Sequence, residues 1–301
     1  MGWSGSALLP VAAAVLIPQN KLPLDQRRIA IAQEQSTAHA LADAFIKVGA
    51  RPIWCPPIQH TPLPQTLLDT LDDAVLRLAE FKVIVFASHT AVDVFYDRAL
   101  RSADGDPTVL ALMLRNSHIQ VAAIGPALQR LRSYGIQAQV VPLEHSPRGL
   151  AFALDQLNLA RDSDILVPVP IISQVLQDET TMTDEQVLAR DLEAAGARIV
   201  RAPAFLTEPC DMGSLVAEMA LFKACAIDAI CIHSEYELRG LQYAAGDDFD
   251  CIRRIPVVTV SKFADLFREA GMKVEVEVDN FSVEKVVSDL SSHFSAGKLV
   301  W

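Results

Sequence analysis

The chain repeats itself. Residues 118–154, HIQVAAIGPALQRLRSYGIQAQVVPLEHSPRGLAFAL, align without a gap with residues 254–290, RIPVVTVSKFADLFREAGMKVEVEVDNFSVEKVVSDL. Ile119 meets Ile255, Gly135 meets Gly271 and Ser146 meets Ser282. Each segment reads as an apolar strand, an amphipathic helix closed by a glycine, a second strand, and a serine ahead of another helix. The same logic pairs Ile29-Ala30-Ile31 with Ile165-Leu166-Val167, ALADAFIKVGAR at 40–51 with VLARDLEAAGAR at 187–198, and FKVIVFAS, ending at Ser88, with AIDAICIHS, ending at Ser234. Each half therefore reads β-α-β-β-α-β-α-β-α, and such alternation closes into a parallel sheet with helices on both faces. The expected fold class is α/β: two flavodoxin-like, doubly wound parallel-sheet domains from an internal duplication, joined by two extended linkers.

A length of 301 residues exceeds the comfortable size of one core and suits two domains. Hydrophobic residues make up 51% and aromatics only 6%, so burial rests on Ala, Val, Leu and Ile, as in helix-covered parallel sheets. Two proline-rich breaks, Pro56-Pro57 through Pro64 and Pro203 through Pro209, fall after the second strand of each half rather than between the halves. That placement predicts a chain that leaves one domain after two strands, builds the other, and returns. The domains are then 1–57 plus 206–301, discontinuous, and 62–203, inserted, with linkers at 58–61 and 204–205. The strand near 29–33 and the strand near 83–87 should lie in different sheets. Two linkers across a polar cleft also predict a variable angle between the domains.

The formal net charge of -11, without a Lys/Arg cluster, argues against nucleic acid as a partner. The five cysteines, Cys55, Cys210, Cys225, Cys231 and Cys251, show no C-x-x-C spacing and read as reduced core residues. The apolar stretch from Ala7 to Ile17 is interrupted by Pro10 and is far shorter than the roughly 20 residues of a membrane span. With no Lys or Arg before Lys21 it lacks a basic leader, and it reads as a packed arm or the remnant of a targeting segment. The expectation is a soluble protein of cytoplasm or plastid stroma that does not enter a membrane.

From Arg28 to Leu290 the chain resembles the uroporphyrinogen-III synthases. The segment GARPIWCPPIQH is similar to that family's first crossover into a linker, FASHTAVDVF to its first serine turn, and VAAIGPALQRLRSYGIQAQVVP to its Gly-Pro turn. DLEAAGARIVRAPAFLTEP resembles the second crossover and IHSEYEL the second serine turn. The resemblance implies a cofactor-free lyase of tetrapyrrole biosynthesis with its site in the cleft between two domains. The linear hydroxymethylbilane loses its hydroxyl as water, its last ring is inverted through a spiro intermediate, and the macrocycle closes. It also implies the preceding deaminase, or a larger assembly, as a partner. Two alternatives stay open: a synthase-like binding or assembly subunit without activity, and a two-domain solute binder.

Candidate residues follow from strand ends and from the resemblance. Ser88, His89 and Thr90 stand where a strand meets a helix, and either cap that helix or offer an anion site. Gly125, Pro126 and Ala127 form a turn that is either an ordinary tight connection or a place of close backbone approach to a ligand. Ser234 is the counterpart of Ser88, and the resemblance gives its turn a functional hydroxyl. His233 beside it is either structural or a proton donor to the leaving hydroxyl. Ser261 and Lys262, in place of a second Gly-Pro-Thr turn, are expected to contact carboxylates. Phe205 stands where the family carries a tyrosine that assists departure of the hydroxyl, and is expected on the cleft side of its linker, edge-on to solvent. Gln33-Glu34 stands where the family offers an arginine, and Pro168-Val169-Pro170 reads as a loop without polar side chains.

Overall fold

A computed structural model of the chain describes residues 22–144, 146–177, 184–279 and 281–296, so the apolar stretch from Ala7 to Ile17 lies outside the described residues. The first part runs β1 (Arg28–Ile31), α1 (Gln35–Lys47), β2 (Arg51–Trp54), β3 (Ile58–Pro62), α2 (Gln65–Leu76), β4 (Val83–Phe86), α3 (His89–Ser102), α4 (Pro107–Asn116), β5 (Gln120–Ala123), α5 (Pro126–Ser133) and α6 (Pro147–Gln156). The second runs β6 (Asp164–Ile172), α7 (Asp184–Ala194), β7 (Arg198–Pro209), α8 (Val216–Lys223), β8 (Ala229–Cys231), α9 (Glu235–Ala245), α10 (Phe249–Arg253), β9 (Pro256–Val260), α11 (Ser261–Glu269), β10 (Lys273–Val278) and α12 (Val283–Ala296). Among the described residues no helix is long and apolar enough to cross a membrane.

Two five-stranded sheets result, in the orders β10-β9-β8-β1-β2 and β3-β7-β6-β4-β5. The first is wholly parallel, and with its own strands numbered in chain order it reads 2-1-3-4-5, the flavodoxin-like winding. The second follows the same order for its parallel strands, with β3 added antiparallel outside β7. β1 and β4 lie in different sheets.

Alternating side chains of each strand feed a separate core on each face. Val83 and Val85 of β4 pack with Leu150, Leu154 and Leu192 on one side, while Ile84 and Phe86 pack with Leu71, Val92 and Phe95 on the other. In the first sheet, Ile29 and Ile31 join Leu41, Phe45 and Leu290, whereas Ala30 and Ala32 join Phe222, Leu238 and Phe267. Strands buried on both faces have no polar alternation to show, which is why VIVF is buried at every position.

Four local expectations are corrected. The strand expected around Val140 shrinks to a single parallel bridge between Ala122 and Val140. Its counterpart KVEVEV alternates cleanly and forms all six residues of β10, but QAQVVP buries only Val140 and the proline on which it ends, and that proline has no N–H for a ladder. Pro168-Val169-Pro170 is not a loop: β6 continues to Ile172, paired with β7 throughout. β4 pairs with β6 only at Ile165 and Leu166, so beyond them one side of β6 has no ladder to lose, and two prolines spaced by two place their missing N–H groups on one side. Nor does the segment Pro203 to Pro209 break the chain, since it is the outer half of the twelve-residue β7. Of the cysteines, all free, Cys225 is exposed on a left-handed turn instead of joining a core.

The crossing between sheets is compact. β3 pairs antiparallel with β7 from Ile58↔Pro209 to Pro62↔Phe205, and the Cys210 N–H donates to the Pro57 carbonyl at 3.0 Å. Helix α9 of the first sheet presses on this crossing through Gly240, where an added Cβ would stand 2.5 Å from the Pro57 oxygen and 2.7 Å from Ile58 Cγ2. Glycine to alanine inside a helix ordinarily gains up to about 1 kcal/mol, whereas overpacking against fixed backbone costs about 1–3 kcal/mol. Gly240→Ala is therefore expected to lower stability despite its better helix propensity, with a Tm several degrees below the parent in a thermal melt. An unchanged or raised Tm would mean that α9 and the crossing can separate freely.

Candidate active site

Ligands of open α/β sheets bind beyond the carboxyl ends of the strands, where helices begin. Here those ends carry Gln33-Glu34 after β1, Ser88-His89-Thr90 after β4, Gly125-Pro126 after β5, His233-Ser234 after β8 and Ser261-Lys262 after β9. The register Ile31↔Cys231 places Gln33 and His233 equally far past the last paired residues of neighbouring strands. Their side chains meet, Gln33 Nε2 against His233 Nδ1. Trp54 Nε1 donates to the Gln33 carbonyl at 2.7 Å and closes this corner.

Ser234 caps α9: its Oγ accepts from Glu237 N at 3.2 Å, while Glu237 Oε2 accepts from Ser234 N at 3.1 Å and from His233 N at 2.7 Å. The Ser-x-x-Glu spacing of this capping box is legible in the sequence and marks Glu237 as part of the turn. Burial, reinforced by the charge of Glu34 and resisted by the two backbone donors, pushes the Glu237 carboxyl up to about 8. Burial likewise drives the His233 imidazole down to about 3. With its Nε2 enclosed and lacking a partner among the described residues, and its ring 4.6 Å from that of Phe281, His233 is neutral at physiological pH. This corrects its expected role as a standing proton donor, because a group that gives a proton must first hold one.

Ser88 is the cap of α3, accepting from Ala91 N at 3.1 Å. His89 reaches across to the first sheet, with Nδ1 3.0 Å from Glu34 Oε1. Glu34 Oε2 lies 3.4 Å from Nε2 of His60 on β3, whose Nδ1 is 3.0 Å from the buried Thr207 hydroxyl on β7. A carboxylate of one sheet, a histidine of the other and a histidine of the crossing thus form one cluster. Burial raises the Glu34 carboxyl, but bonding to His60 and His89 outweighs it and leaves Glu34 at about 2. The His89 imidazolium is lowered by burial, yet the Glu34 carboxylate, with Asp93 at longer range and against Arg130, carries it above the ordinary histidine value.

Phe205 stands beside this cluster, its ring centroid 4.8 Å from that of His60 in an edge contact. It is only 3% exposed, which corrects the expectation of a solvent-facing edge. β3 and β6 flank β7 on both sides, so residue 205 has no free edge, and its ring joins the core under α2 and α3. Gly125, at φ +56° and ψ −135°, is a backbone that only glycine adopts without strain, and it opens α5 with Pro126 at the first turn and Ala127 buried. Ser261 donates to Asp279 Oδ1 at 3.1 Å, and Lys262 Nζ lies 4.4 Å from the Phe263 ring centroid. The structure therefore gathers His89 and Phe205 around Glu34 and His60, and His233 with Ser234 around Gln33 and Glu237. The Gly125 turn and the Ser261-Lys262 pair stand one strand farther along each sheet, on β5 and β9.

Glu34 and His60 escape sequence reasoning. Glu34 is named in the sequence only as the place of an absent arginine and His60 only as the end of GARPIWCPPIQH; they are 26 positions apart in chain number, and only the pairing of β3 with β7 brings His60 to the strand ends. A cavity of 360 Å³ lined by Gln26, Arg28, Arg51, Cys225, Ala226 and Asp228 opens at the opposite ends of β1, β2 and β8, remote from these groups in the fold.

The family model described as Uroporphyrinogen-III synthase HemD matches residues 39–288. Among curated proteins none matches. Among solved structures, a mutant uroporphyrinogen III synthase of the extremely thermophilic bacterium Thermus thermophilus is 16% identical, with a TM-score of 0.56 over 90% of this chain and 99% of that one. The wild-type enzyme in another crystal form is 18% identical with a TM-score of 0.41, over 90% of this chain and 99% of that one. A periplasmic ribose ABC transporter of Conexibacter woesei is 13% identical with a TM-score of 0.28, over 94% of this chain and 90% of that one. The first is a likeness of fold; the scores of the other two are too low to support an argument.

The shifted carboxyl gives a stability test. Folded Glu237 holds a proton up to about pH 8, whereas an unfolded glutamate releases it near 4.5, so the native state binds more protons in that window and stability falls as pH rises through it. Glu237→Gln keeps an oxygen to accept from His233 and Ser234 but cannot titrate. Urea unfolding at pH 5 and pH 8 should show the parent losing about 1 kcal/mol or more relative to the variant across this interval. His233 titrates equally in both proteins and cancels in the difference. Parallel pH profiles would show that the Glu237 proton is not retained on folding.

Proposed function

This chain belongs to the uroporphyrinogen-III synthase family, and from that premise we propose that it cyclises hydroxymethylbilane to uroporphyrinogen III, with inversion of the last pyrrole ring and loss of water. The observation that carries the reading is the meeting of two sheet edges at Glu34, His60 and His89, which puts helix starts from both sheets around one place. A flexible octacarboxylate has to be folded so that the substituted carbon of its terminal ring attacks, since unassisted closure gives the other isomer. Geometry is most of that task, and rigid positioning of reacting groups is worth about 7–11 kcal/mol of a barrier at best. The starts of α3, α5, α9 and α11 present backbone N–H groups toward anionic side chains of the substrate without adding net positive charge. That suits a protein of net charge -11.

Ser88, Thr90, Gly125, Pro126 and Ala127 on one side, and Ser261 and Lys262 on the other, are proposed to hold propionate and acetate groups. Ser234 is proposed to act at the closing ring, and Phe205 to support His60 from the core. The two domains proposed are those of the sequence reading, 1–57 with 206–301, and 62–203, except that Ile58–Thr61 and Leu206–Pro209 go with the second, because β3 and β7 pair within its sheet. They are supported by β1 and β2 sharing a sheet with β8, β9 and β10, and the matched element order of the halves supports an internal duplication. The alternative of an inactive binding subunit rests on Phe205, Gln33 and the acidic net charge of -11, and helix starts answer the charge. As for Phe205 and Gln33, both are buried, at 3% and 2% exposure, so neither departure takes a group away from the exposed strand ends.

The test is isomer-resolved turnover of enzymatically generated hydroxymethylbilane. The parent should form the type III product well above the spontaneous type I background. Ser234→Ala should lower kcat about 10-fold or more if its hydroxyl contacts the reacting ring. Loss of the α9 cap should separately cost about 1 kcal/mol, read from a thermal melt. A parent that yields only type I would remove the synthase reading, and a Ser234→Ala variant with parental kcat would remove Ser234 from the site.

A further inference from the structure

Resting on the synthase reading, we propose that His89 is the general acid that protonates the departing hydroxyl, and that Glu34, arriving from the opposite sheet, is the residue that positions it. The argument begins with the imidazole nitrogens. Both nitrogens of His60 are committed, Nδ1 to Thr207 at 3.0 Å and Nε2 to Glu34 at 3.4 Å. His233 has Nδ1 against Gln33 and Nε2 enclosed. His89 differs: its Nδ1 is enclosed and stands in ion-pair contact with Glu34 Oε1 at 3.0 Å, though outside hydrogen-bond geometry, while its Nε2 meets only the hydroxyl of its chain neighbour Thr90, at 3.4 Å. A carboxylate on one ring nitrogen that leaves the other to face a substrate is the arrangement that orients an acid-base histidine.

Location agrees with chemistry. His89 is the first residue of α3, at the carboxyl end of β4, with its side chain 20% exposed, so a substrate lying along the strand ends can reach Nε2. The groups that set its charge come from every neighbouring element: Glu34 after β1, His60 on β3 behind Glu34, Asp93 on its own helix, and Arg130 on α5, itself paired with Asp93. The net effect of these groups favours the protonated ring, as an acid requires.

The step balances. As the bond between the hydroxymethyl carbon and its oxygen breaks, the electron pair leaves on oxygen, which takes the Nε2 proton and departs as water. The lone pair of the pyrrole nitrogen moves toward the methylene carbon to form the cationic intermediate, and His89 is left neutral. The substituted carbon of the terminal ring bonds to that methylene carbon to give the spiro intermediate, and its older bond to the neighbouring bridge carbon breaks. The bridge carbon then bonds to the unsubstituted α-carbon of the same ring, whose released hydrogen returns to Nε2 as a proton, so the cycle ends as it began. Glu34 remains ionised throughout and takes no proton.

The experiment measures pH profiles of kcat for type III formation in the parent, His89→Gln and Glu34→Gln. It is paired with a nuclear magnetic resonance titration of the His89 ring in the parent and Glu34→Gln. His89→Gln should lower kcat about 100-fold, in the usual range for a lost general acid, and abolish the alkaline limb of the profile. Glu34→Gln should move both that limb and the His89 titration to lower pH by about one unit, as loss of an adjacent charge does. Three results would overturn the proposal: His89→Gln with kcat within about twofold of the parent, a His89→Gln effect confined to KM, or an alkaline limb that persists without the imidazole. If His89→Gln fails to fold, an unmoved His89 titration and limb in Glu34→Gln overturn it independently. A parent that makes no type III product removes the underlying synthase reading, an outcome distinct from a synthase that works without His89.

Discussion

Everything about the arrangement of this molecule depends on one antiparallel pairing, Ile58–Pro62 against Phe205–Pro209. A chain that built one sheet and then the other in tandem would cross between them once. Here the polypeptide crosses out after β2 and back along β7, and the two passages form a ladder with each other. Their backbone groups therefore satisfy one another instead of lying unpaired between two bodies, which is the requirement any buried extended chain has to meet. Because the ladder is antiparallel, it also places a β3 side chain, His60, where the strand ends of both sheets converge.

The consequence for chemistry is a division of labour between two kinds of buried acid. Glu34 is flanked by imidazoles and stays ionised to about pH 2, whereas Glu237, held by the N–H groups of His233 and Ser234, is carried by burial toward 8. The two carboxyls lie at the ends of adjacent strands, and the charge of the first contributes to the protonation of the second. Environments that push two like groups apart in acidity let one fold hold an anion and a proton side by side. The same sorting separates His89 from His233, the first supported by a carboxylate and the second surrounded by an amide and an aromatic ring.

Much of the scaffold is legible in the sequence because its signals are local. Apolar runs such as VIVF, the helix-closing glycines and the serines ahead of helices each act within a few residues, and their recurrence in both halves reveals the winding. The prolines misled where a tertiary contact overrides them: Pro168 and Pro170 lie in a strand because β4 stops short of them. The site was legible in part. Ser88, His89, Gly125, His233 and Ser234 are marked by strand-to-helix junctions. Glu34 looked like a missing cation, and His60 like part of a linker, because nothing in one chain order states that residues 34, 60 and 89 share a point in space. Phe205 misled for a related reason, since its exposure is decided by β3, a strand distant from it in sequence.

The length of β7 bears on how the two sheets move against each other. Because β7 stays paired with β6, through one register shift after Val169, as far as Ile172↔Thr207 and with β3 to Ile58↔Pro209, the crossing is mechanically an extension of the second sheet, not a pair of loose tethers. Rotation of one sheet relative to the other then has only two places to go, Cys55–Pro57 on one passage and Cys210–Asp211 on the other. These two pivots are bonded to each other through Cys210 N and Pro57 O at 3.0 Å. Two adjacent, bonded pivots define a single hinge line, and bending about it is favoured over the independent twisting of two separate linkers. The Glu34–His89 contact lies across that line, so the bend that opens the mouth is also the one that separates the carboxylate from the imidazole.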